Sequence, residues 1–200
     1  MKRSDINRLI RDASTCFAAH GWTLPPNPRW DVTDLGLGDW RRFGLVLLNL
    51  AEEPEYCEKL MYSKRGMVTP MHYHKKKKED IIARWGSLSV EVWPAGPGSV
   101  PRSIGVPSGS TDGPRFEIQV SGDLRRVSAG DVITLDPGER VTLEPGVWHS
   151  FVPVTPECII GEVSTANDDL HDNFFADPNI GRFPGIEEDE EPMVRLLSDS

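Results

Sequence analysis

Two histidines, two residues apart, are the clearest chemical signal in the chain. His72 and His74 lie in the segment Thr-Pro-Met-His-Tyr-His. Side chains at positions i and i+2 of a β-strand point to the same face, so a strand here would present two imidazoles side by side. Such a pair can chelate a metal ion, but a single His-x-His pair is more often an ordinary surface or core feature. Further ligands are needed to predict a site.

Glu79 and His149 are the candidates for those ligands. Glu79 follows a run of four lysines. Because its parity is opposite to that of His74, it can approach the histidines only if the lysine run bends or bulges between two strands. His149 follows a Pro-Gly turn and must arrive from a distant strand. A closed barrel allows this, because its interior positions point to a common centre.

Alternating apolar and polar residues predict the strands that such a barrel needs. Leu88, Val90 and Val92 alternate with polar residues, and the segment 115–120 shows the same period of two. The segment 94–114, rich in Gly, Pro and Ser, predicts a long hairpin loop between strands of one sheet system. These features predict an antiparallel barrel or jelly roll, with further strands at 43–50, 56–63, 131–135, 141–143, 149–154 and 158–164.

The two ends of the chain differ from this pattern. Apolar residues at three- and four-residue intervals predict an N-terminal amphipathic helix within 1–24, with Ser4 and Asp5 as candidate caps. The segment 25–39 is rich in Pro, Gly and Asp. Residues 187–191 are all acidic, and by charge alone such a run is typical of a solvated segment. We therefore expect one domain: the helix, a barrel over about 40–165, and a C-terminal segment over 166–200.

Composition excludes several classes of function. A formal charge of −9 and a pI near 5.0 argue against a nucleic-acid partner. The longest apolar stretch is far too short for a membrane span. Three cysteines without a Cys-x-x-Cys spacing favour neither a disulfide framework nor a thiolate zinc site. We expect a cytoplasmic protein that does not bind membranes.

The candidate ligands are spaced as in the two motifs of the cupin superfamily. The first motif is matched at every element, by Gly66-x5-His72-x-His74-x4-Glu79-x6-Gly86. The pattern Gly138-x7-Gly146-x2-His149 resembles the second motif. It differs in having Glu144 in place of a proline and Pro153 in place of an asparagine. Neither departure removes a ligand. The resemblance implies a mainly β, cupin jelly-roll barrel that holds one divalent ion through His72, His74, Glu79 and His149.

Ligand chemistry narrows the choice of ion. Three imidazoles and a carboxylate suit Mn, Co, Fe, Ni or Zn, and we expect manganese among them. About two octahedral positions would then be open to water or substrate.

A longer pattern narrows the resemblance within the superfamily. The sequence is similar to the bacterial D-lyxose isomerases over nearly its whole length, including the N-terminal helix. The similarity lies in Thr69–Ile82, in Leu143–Phe151, in Gly161–Phe175, and in the Gly-Arg-Phe-Pro-x-Ile-Glu-Glu-Asp-Glu segment at 181–190. It implies interconversion of D-lyxose with D-xylulose, and in several relatives of D-mannose with D-fructose, by proton transfer through a cis-enediolate.

The resemblance also implies roles for residues outside the metal site. Lys77 resembles the catalytic lysine of the family, although it could instead be one of four interchangeable surface lysines. Glu187 and Glu162 are the candidates for the carboxylate base, with Glu187 preferred. Asp168, Asp169 and Arg182 are expected to bind sugar hydroxyls, and Asp172 and Asn173 could do the same or form Asx turns.

Two other classes of function share the same ligands. An iron-dependent cupin oxygenase needs neither the lysine nor the acidic segment, and a non-catalytic cupin could use the metal only to hold a sugar. Oxygen uptake would indicate the first, and sugar binding without deuterium incorporation at C2 the second. Family resemblance also implies a homodimer, with the N-terminal helix and first strands as packing elements.

Overall fold

The computed structural model describes residues 1–96, 113–180 and 185–199. Over these residues the chain is mainly β, with one long helix, α1 (Arg3–Ala19), one short helix, α2 (Trp40–Phe43), and a 3-10 turn at Leu197–Asp199. The strands are β1 (Arg29–Thr33), β2 (Leu45–Glu52), β3 (Tyr56–Lys64), β4 (Thr69–Tyr73), β5 (Glu79–Trp85), β6 (Leu88–Trp93), β7 (Arg115–Val120), β8 (Asp123–Ser128), β9 (Asp131–Leu135), β10 (Arg140–Leu143), β11 (Trp148–Pro153), β12 (Glu157–Thr165) and β13 (Phe174–Phe175).

The strands of the described residues form two antiparallel sheets. The large sheet has the order β1-β2-β3-β12-β5-β10-β7-β8, and the small sheet has the order β13-β4-β11-β6-β9. The predicted jelly roll with an N-terminal helix is therefore confirmed. The alternation in β6 has the expected cause: Leu88, Val90 and Val92 are fully buried in the core between the sheets.

A second apolar core lies between α1 and the strands β1 to β3. Leu9, Ile10 and Phe17 of the helix pack there with Trp30 and Tyr62, and all five side chains are almost fully buried. The ring of Phe17 stacks on that of Trp30 with centroids 6.2 Å apart. The helix thus covers the face of the large sheet that points away from the barrel interior.

Several boundaries differ from the sequence-based predictions. The helix covers Arg3–Ala19 rather than the whole of 1–24, and it has no side-chain cap of its own. Ser4 does not cap the helix; its N–H and hydroxyl both donate to the carboxylate of Asp189 in the C-terminal segment. The predicted strand at 43–50 begins at Leu45, because Phe43 ends α2.

Three strands, β1, β8 and the two-residue β13, were not predicted, and one predicted hairpin is wrong. β1 lies within the Pro- and Gly-rich segment 25–39, where buried Trp30 and Val32 alternate with more exposed residues. β8 is an exposed edge strand without an apolar pattern. The strands on either side of the predicted loop at 94–114, β6 and β7, lie in different sheets and so do not form a hairpin. Residues 97–112 of that loop lie outside the described residues. Among the described residues, no helix is long and apolar enough to cross a membrane.

Candidate metal centre

Four side chains converge inside the barrel at one end of the small sheet. His72 lies on β4, His74 directly follows that strand, Glu79 begins β5, and His149 lies on β11. One potential ligand atom from each of the four lies within 4.8 Å of those of the others. All four side chains are buried, and His149 and Glu79 are only 1% and 2% exposed. These are the four ligands predicted from the sequence.

The strand arrangement explains how distant residues meet. His149 and His72 are direct partners across the antiparallel pair β11 and β4. β4 belongs to the small sheet and β5 to the large one, so the chain passes from one sheet to the other within 74–78. This crossing is the bend that brings Glu79 to the histidines despite its parity.

Backbone carbonyls fix the orientation of each of the three imidazole rings. The Nδ1 atom of His72 lies 2.7 Å from the oxygen of Pro70, and that of His149 lies 3.1 Å from the oxygen of Val147. The Nδ1 of His74 contacts the carbonyl oxygen of Asp172. Because a carbonyl only accepts, each Nδ1 carries the proton and each Nε2 keeps a free lone pair. Metal-ligating histidines are commonly oriented in this way.

The Nε2 atoms face an unsatisfied carboxylate oxygen. Glu79 Oε1 lies 2.9 Å from Nε2 of His149 and 3.5 Å from that of His74. Neither this oxygen nor Nε2 of His149 has a hydrogen-bond partner among the described residues, although both are fully buried. Buried polar atoms normally have partners, and a metal ion would supply one to both.

Burial favours the neutral form of the His72 and His74 imidazoles. Burial, together with the neighbouring His149 and His74, lowers the pKa of His72 well below its usual value. Burial also lowers the pKa of His74, although Glu79 opposes the shift. Burial opposes ionisation of Glu79, but the neighbouring Lys77 ammonium holds its pKa well below the usual range. Neutral imidazoles and an ionised carboxylate are the forms that bind a divalent ion.

Lys77 differs from the other lysines of its run. It is 4% exposed, whereas Lys75, Lys76 and Lys78 are exposed. Its Nζ lies 2.9 Å from Glu79 Oε2 and 2.9 Å from Glu162 Oε1. Burial opposes its charge, but these two carboxylates raise its pKa, so it remains an ammonium ion. It is not one of four interchangeable surface lysines.

A pocket of about 350 Å³ opens onto the cluster. Glu162 and Lys77 line it beside His72 and His74, and its apolar lining comes from strands of both sheets: Leu45, Leu47, Met61, Ile81, Phe151 and Phe175. The pocket therefore combines charged groups with apolar side chains, as small-molecule sites usually do.

Three charged residues of the pocket, Lys59, Asp31 and Asp177, were missed by the sequence analysis. Lys59 of β3 is buried, and its Nζ lies 3.2 Å from Asp169, 3.1 Å from the Asn167 amide oxygen and 3.9 Å from Glu162. Asp31 of β1 also lines the pocket. Burial raises the pKa of Asp31, and the nearby Asp169 carboxylate raises it further. The alternation of β3 contained a signal for Lys59, because it shares a strand face with the buried Cys57 and Met61.

The remaining predicted site residues are not all brought together. Asp169 lines the pocket, but Asp168 is exposed and bonds to His171 at 2.9 Å. Arg182 lies outside the described residues.

The structure does not bring Glu187, the preferred candidate base, to the cluster. Glu187 forms an isolated β-bridge with Lys2. Its side chain is 66% exposed, and its carboxylate lies 3.6 Å from the Lys2 ammonium. The preference for Glu187 over Glu162 therefore has no support in the geometry, because its backbone is held beside the start of α1.

Comparisons with known proteins agree with this geometry. The sequence model of the D-lyxose isomerase family matches residues 27–200. The D-lyxose/D-mannose isomerase of Escherichia coli O157:H7 is 32% identical, covering 100% of this chain and 98% of that protein. The enzyme of the same name from Serratia proteamaculans is 33% identical, covering 98% and 96%.

Solved structures show the same fold at low identity. The L-ribose isomerase of Cellulomonas parahominis with L-ribose has a TM-score of 0.61 at 19% identity, covering 90% of this chain and 94% of that one. A mutant L-ribose isomerase of Acinetobacter sp. DL28 in complex with L-ribose has a TM-score of 0.64 at 15% identity, with the same coverage.

Proposed function

Because this chain belongs to the D-lyxose isomerase family, we propose that it uses a divalent metal ion to interconvert an aldose and its ketose. The substrate pair is D-lyxose with D-xylulose, and D-mannose with D-fructose is a second pair, in line with the names of the curated relatives. The observation that carries the proposal is the buried Glu79 oxygen, which has no hydrogen-bond partner among the described residues and faces the imidazole Nε2 atoms.

The reaction moves one proton between neighbouring carbons and a second proton between the oxygens on those carbons. A base removes the proton from C2 of the open-chain aldose and returns it to C1 through a cis-enediolate, while a proton passes from the C2 oxygen to the C1 oxygen. When bound, the metal would act as a Lewis acid that polarises the carbonyl and makes this proton more acidic. The protein must therefore supply a base beside the metal ligands.

We assign the proton transfer to Glu162. It is buried, lines the pocket and lies one lysine away from the ligand Glu79. Lys77 holds the Glu162 carboxylate in place through the 2.9 Å contact between its Nζ and Glu162 Oε1. Since the pKa of Lys77 is raised, its role is to hold charge and geometry rather than to release a proton.

The sugar hydroxyl groups that lie far from C1 need polar side chains in the pocket to bind them. Asp169 was predicted to bind substrate, and its place on the pocket wall supports that role. We extend the role to Lys59 and Asp31, which line the same wall. Asp168 is not among the residues that line the pocket, which argues against a direct contact with the sugar.

Three finer assignments complete the proposal. Manganese is our choice of resident ion among Mn, Co, Fe, Ni and Zn, all of which suit three imidazoles and a carboxylate. The protein is a homodimer, as the family resemblance implies. It works in the cytoplasm.

The test is incubation of the Mn²⁺-loaded protein with D-lyxose, D-mannose or D-ribose in deuterated water, followed by NMR. We expect D-xylulose from D-lyxose and D-fructose from D-mannose, with solvent deuterium at the exchanged carbon. D-ribose is the comparison sugar. Sugar binding without product would indicate a non-catalytic cupin, and oxygen uptake would indicate an oxygenase.

A further inference from the structure

Asp172, in the C-terminal segment, forms hydrogen bonds with the ligand His74 and with the residues that follow it. It lies between β12 and β13 and is only 3% exposed. Its Oδ1 accepts the N–H of Lys75 at 2.8 Å, and its Oδ2 accepts those of Lys76 at 3.0 Å and Lys77 at 2.9 Å. One carboxylate thus binds three successive backbone amides of the segment 74–78, which links ligand His74 to ligand Glu79.

The main chain of the same residue orients a ligand. The carbonyl oxygen of Asp172 accepts the Nδ1 proton of His74, which leaves Nε2 directed at the cluster. Just beyond it, Phe175 of β13 pairs with His72 of β4, and their rings lie 5.5 Å apart. The C-terminal segment therefore holds two of the three histidines in place.

A carboxylate is required by the number of donors. Three N–H groups need acceptor lone pairs, which both oxygens of an ionised aspartate provide. An asparagine in the same place offers one oxygen and one NH₂ group, and the NH₂ cannot accept. At least one buried amide would then lose its partner, or the segment would have to move.

We propose that Asp172 is a positioning residue for the metal centre, setting the separation of His74 and Glu79 and the placement of Lys77 between Glu79 and Glu162. This inference rests on the proposed metal-dependent function. Residues that support metal ligands in this way typically contribute 10- to 100-fold to metal affinity.

The experiment compares Mn²⁺ binding by the wild type, Asp172→Asn and Asp168→Asn. Asp168 is the matched control, since it lies in the same segment but is exposed and bonds to His171. We expect Asp172→Asn to bind Mn²⁺ about 10- to 100-fold more weakly, with an altered electron paramagnetic resonance spectrum of the bound ion. Asp168→Asn should match the wild type in both.

The outcomes separate this inference from the proposed function. Wild-type protein that binds no Mn²⁺ would overturn both. Equal affinity and spectrum in Asp172→Asn and wild type would overturn the positioning role alone. If Asp172→Asn does not fold, amide exchange in the wild type decides: slow exchange at Lys75, Lys76 and Lys77 supports the role, and exchange at the rate of an open loop overturns it.

Discussion

At the scale of single residues, the metal centre depends on which ring nitrogen each histidine leaves free. Main-chain carbonyls of Pro70, Asp172 and Val147 take up the three Nδ1 protons. The three Nε2 atoms are therefore acceptors that point at one volume, together with the Glu79 oxygen that lacks a partner among the described residues. Such a set of acceptors repels itself without a cation, so the site is built for one.

Replacement of His149 by alanine should remove the ion without unfolding the barrel. His149 contributes a ligand atom and is buried against His72, with ring centroids 4.1 Å apart. Metal content by elemental analysis and isomerase activity should both collapse. His171→Ala, at a histidine whose side chain is 76% exposed, should retain both. Full metal and turnover in His149→Ala would show that the four-ligand assignment is wrong.

Replacement of Glu162 by glutamine should lower kcat by about 10²- to 10⁴-fold, the usual contribution of a proton-transfer group. Metal content should stay near the wild-type value, because Glu162 is not in the ligand cluster. Steady-state kinetics at saturating Mn²⁺ measures the effect. Glu187→Gln is the control and should stay close to wild type. A large loss in Glu187→Gln with a normal Glu162→Gln would reverse our assignment.

Lys77 and its neighbours provide a second test at the same scale. Lys77→Ala leaves the buried Glu79 and Glu162 carboxylates without the cation they share, so kcat should fall strongly. Lys75→Ala and Lys76→Ala remove exposed charges and should change kcat little. Equal effects of the three substitutions on kcat would contradict a special role of Lys77 in the reaction.

At the scale of elements, the acidic C-terminal segment is attached to α1 rather than free in solvent. The buried Arg3 guanidinium lies 2.8 Å from Glu188 and 3.0 Å from Asp199. Asp189 accepts from both the N–H and the hydroxyl of Ser4. Asn7 bonds to the main chain of Glu191 and Met193. Carboxylates near the first turn also suit the positive end of the helix dipole.

These contacts predict an acid-dependent stability. Hydrogen bonds from Arg3 lower the pKa of Glu188, those from Ser4 lower that of Asp189, and those from Arg3 and Leu196 lower that of Asp199 against its burial. A lowered pKa in the folded state stabilises the protein above the unfolded values, which are about 4, and this contribution disappears as the pH falls through the folded values.

Arg3→Met should therefore lower the thermal midpoint by several degrees at pH 7 and by much less near pH 3. Thermal unfolding followed by circular dichroism at both pH values measures the difference. Arg8→Met removes an exposed arginine of the same helix and serves as the control. A difference between Arg3→Met and wild type that does not shrink in acid would contradict the role of these carboxylates.

At the scale of the whole molecule, the site joins the two sheets. His72 and His149 belong to the small sheet and Glu79 to the large one. The candidate ligands of one ion therefore come from both layers of the barrel, and an ion that bound only the folded state would stabilise their association.

Saturation with Mn²⁺ should raise the unfolding temperature. At a free concentration of 100 times Kd, binding to the folded state contributes about 2.7 kcal/mol. Calorimetric scans with Mn²⁺ and with EDTA measure this increase, and His149→Ala should lack it. An equal increase in His149→Ala would mean that the ion stabilises the protein from another place.

Local patterns explain what could be predicted. The alternation of Leu88, Val90 and Val92 marked a strand whose face is buried, because side-chain direction repeats every two residues in any strand. The ligand spacing indicated His72, His74, Glu79 and His149 because imidazole and carboxylate chemistry belongs to the residues themselves. The bend between His74 and Glu79 followed from parity alone.

The choice between Glu162 and Glu187 could not be made in this way. Both are acidic residues within segments that carry the family resemblance, and burial distinguishes them only after the chain has folded. Glu162 points inward on a strand whose neighbours are β3 and β5, whereas Glu187 ends beside Lys2, almost the whole chain length away in sequence. Lys59 and Asp31 were missed for the same reason, since their roles depend on pocket partners that lie elsewhere in the sequence.

The sequence by itself determined the fold class, the four candidate ligands and the family, because these depend on periodicity, residue chemistry and motif spacing. Only the tertiary structure decided which charged residues share the pocket, that Lys77 joins Glu79 to Glu162, and that Asp172 holds the segment between two ligands. The physical reason is that ion pairs and hydrogen bonds depend on distances of a few ångströms, and long-range packing alone sets those distances between residues remote in the chain.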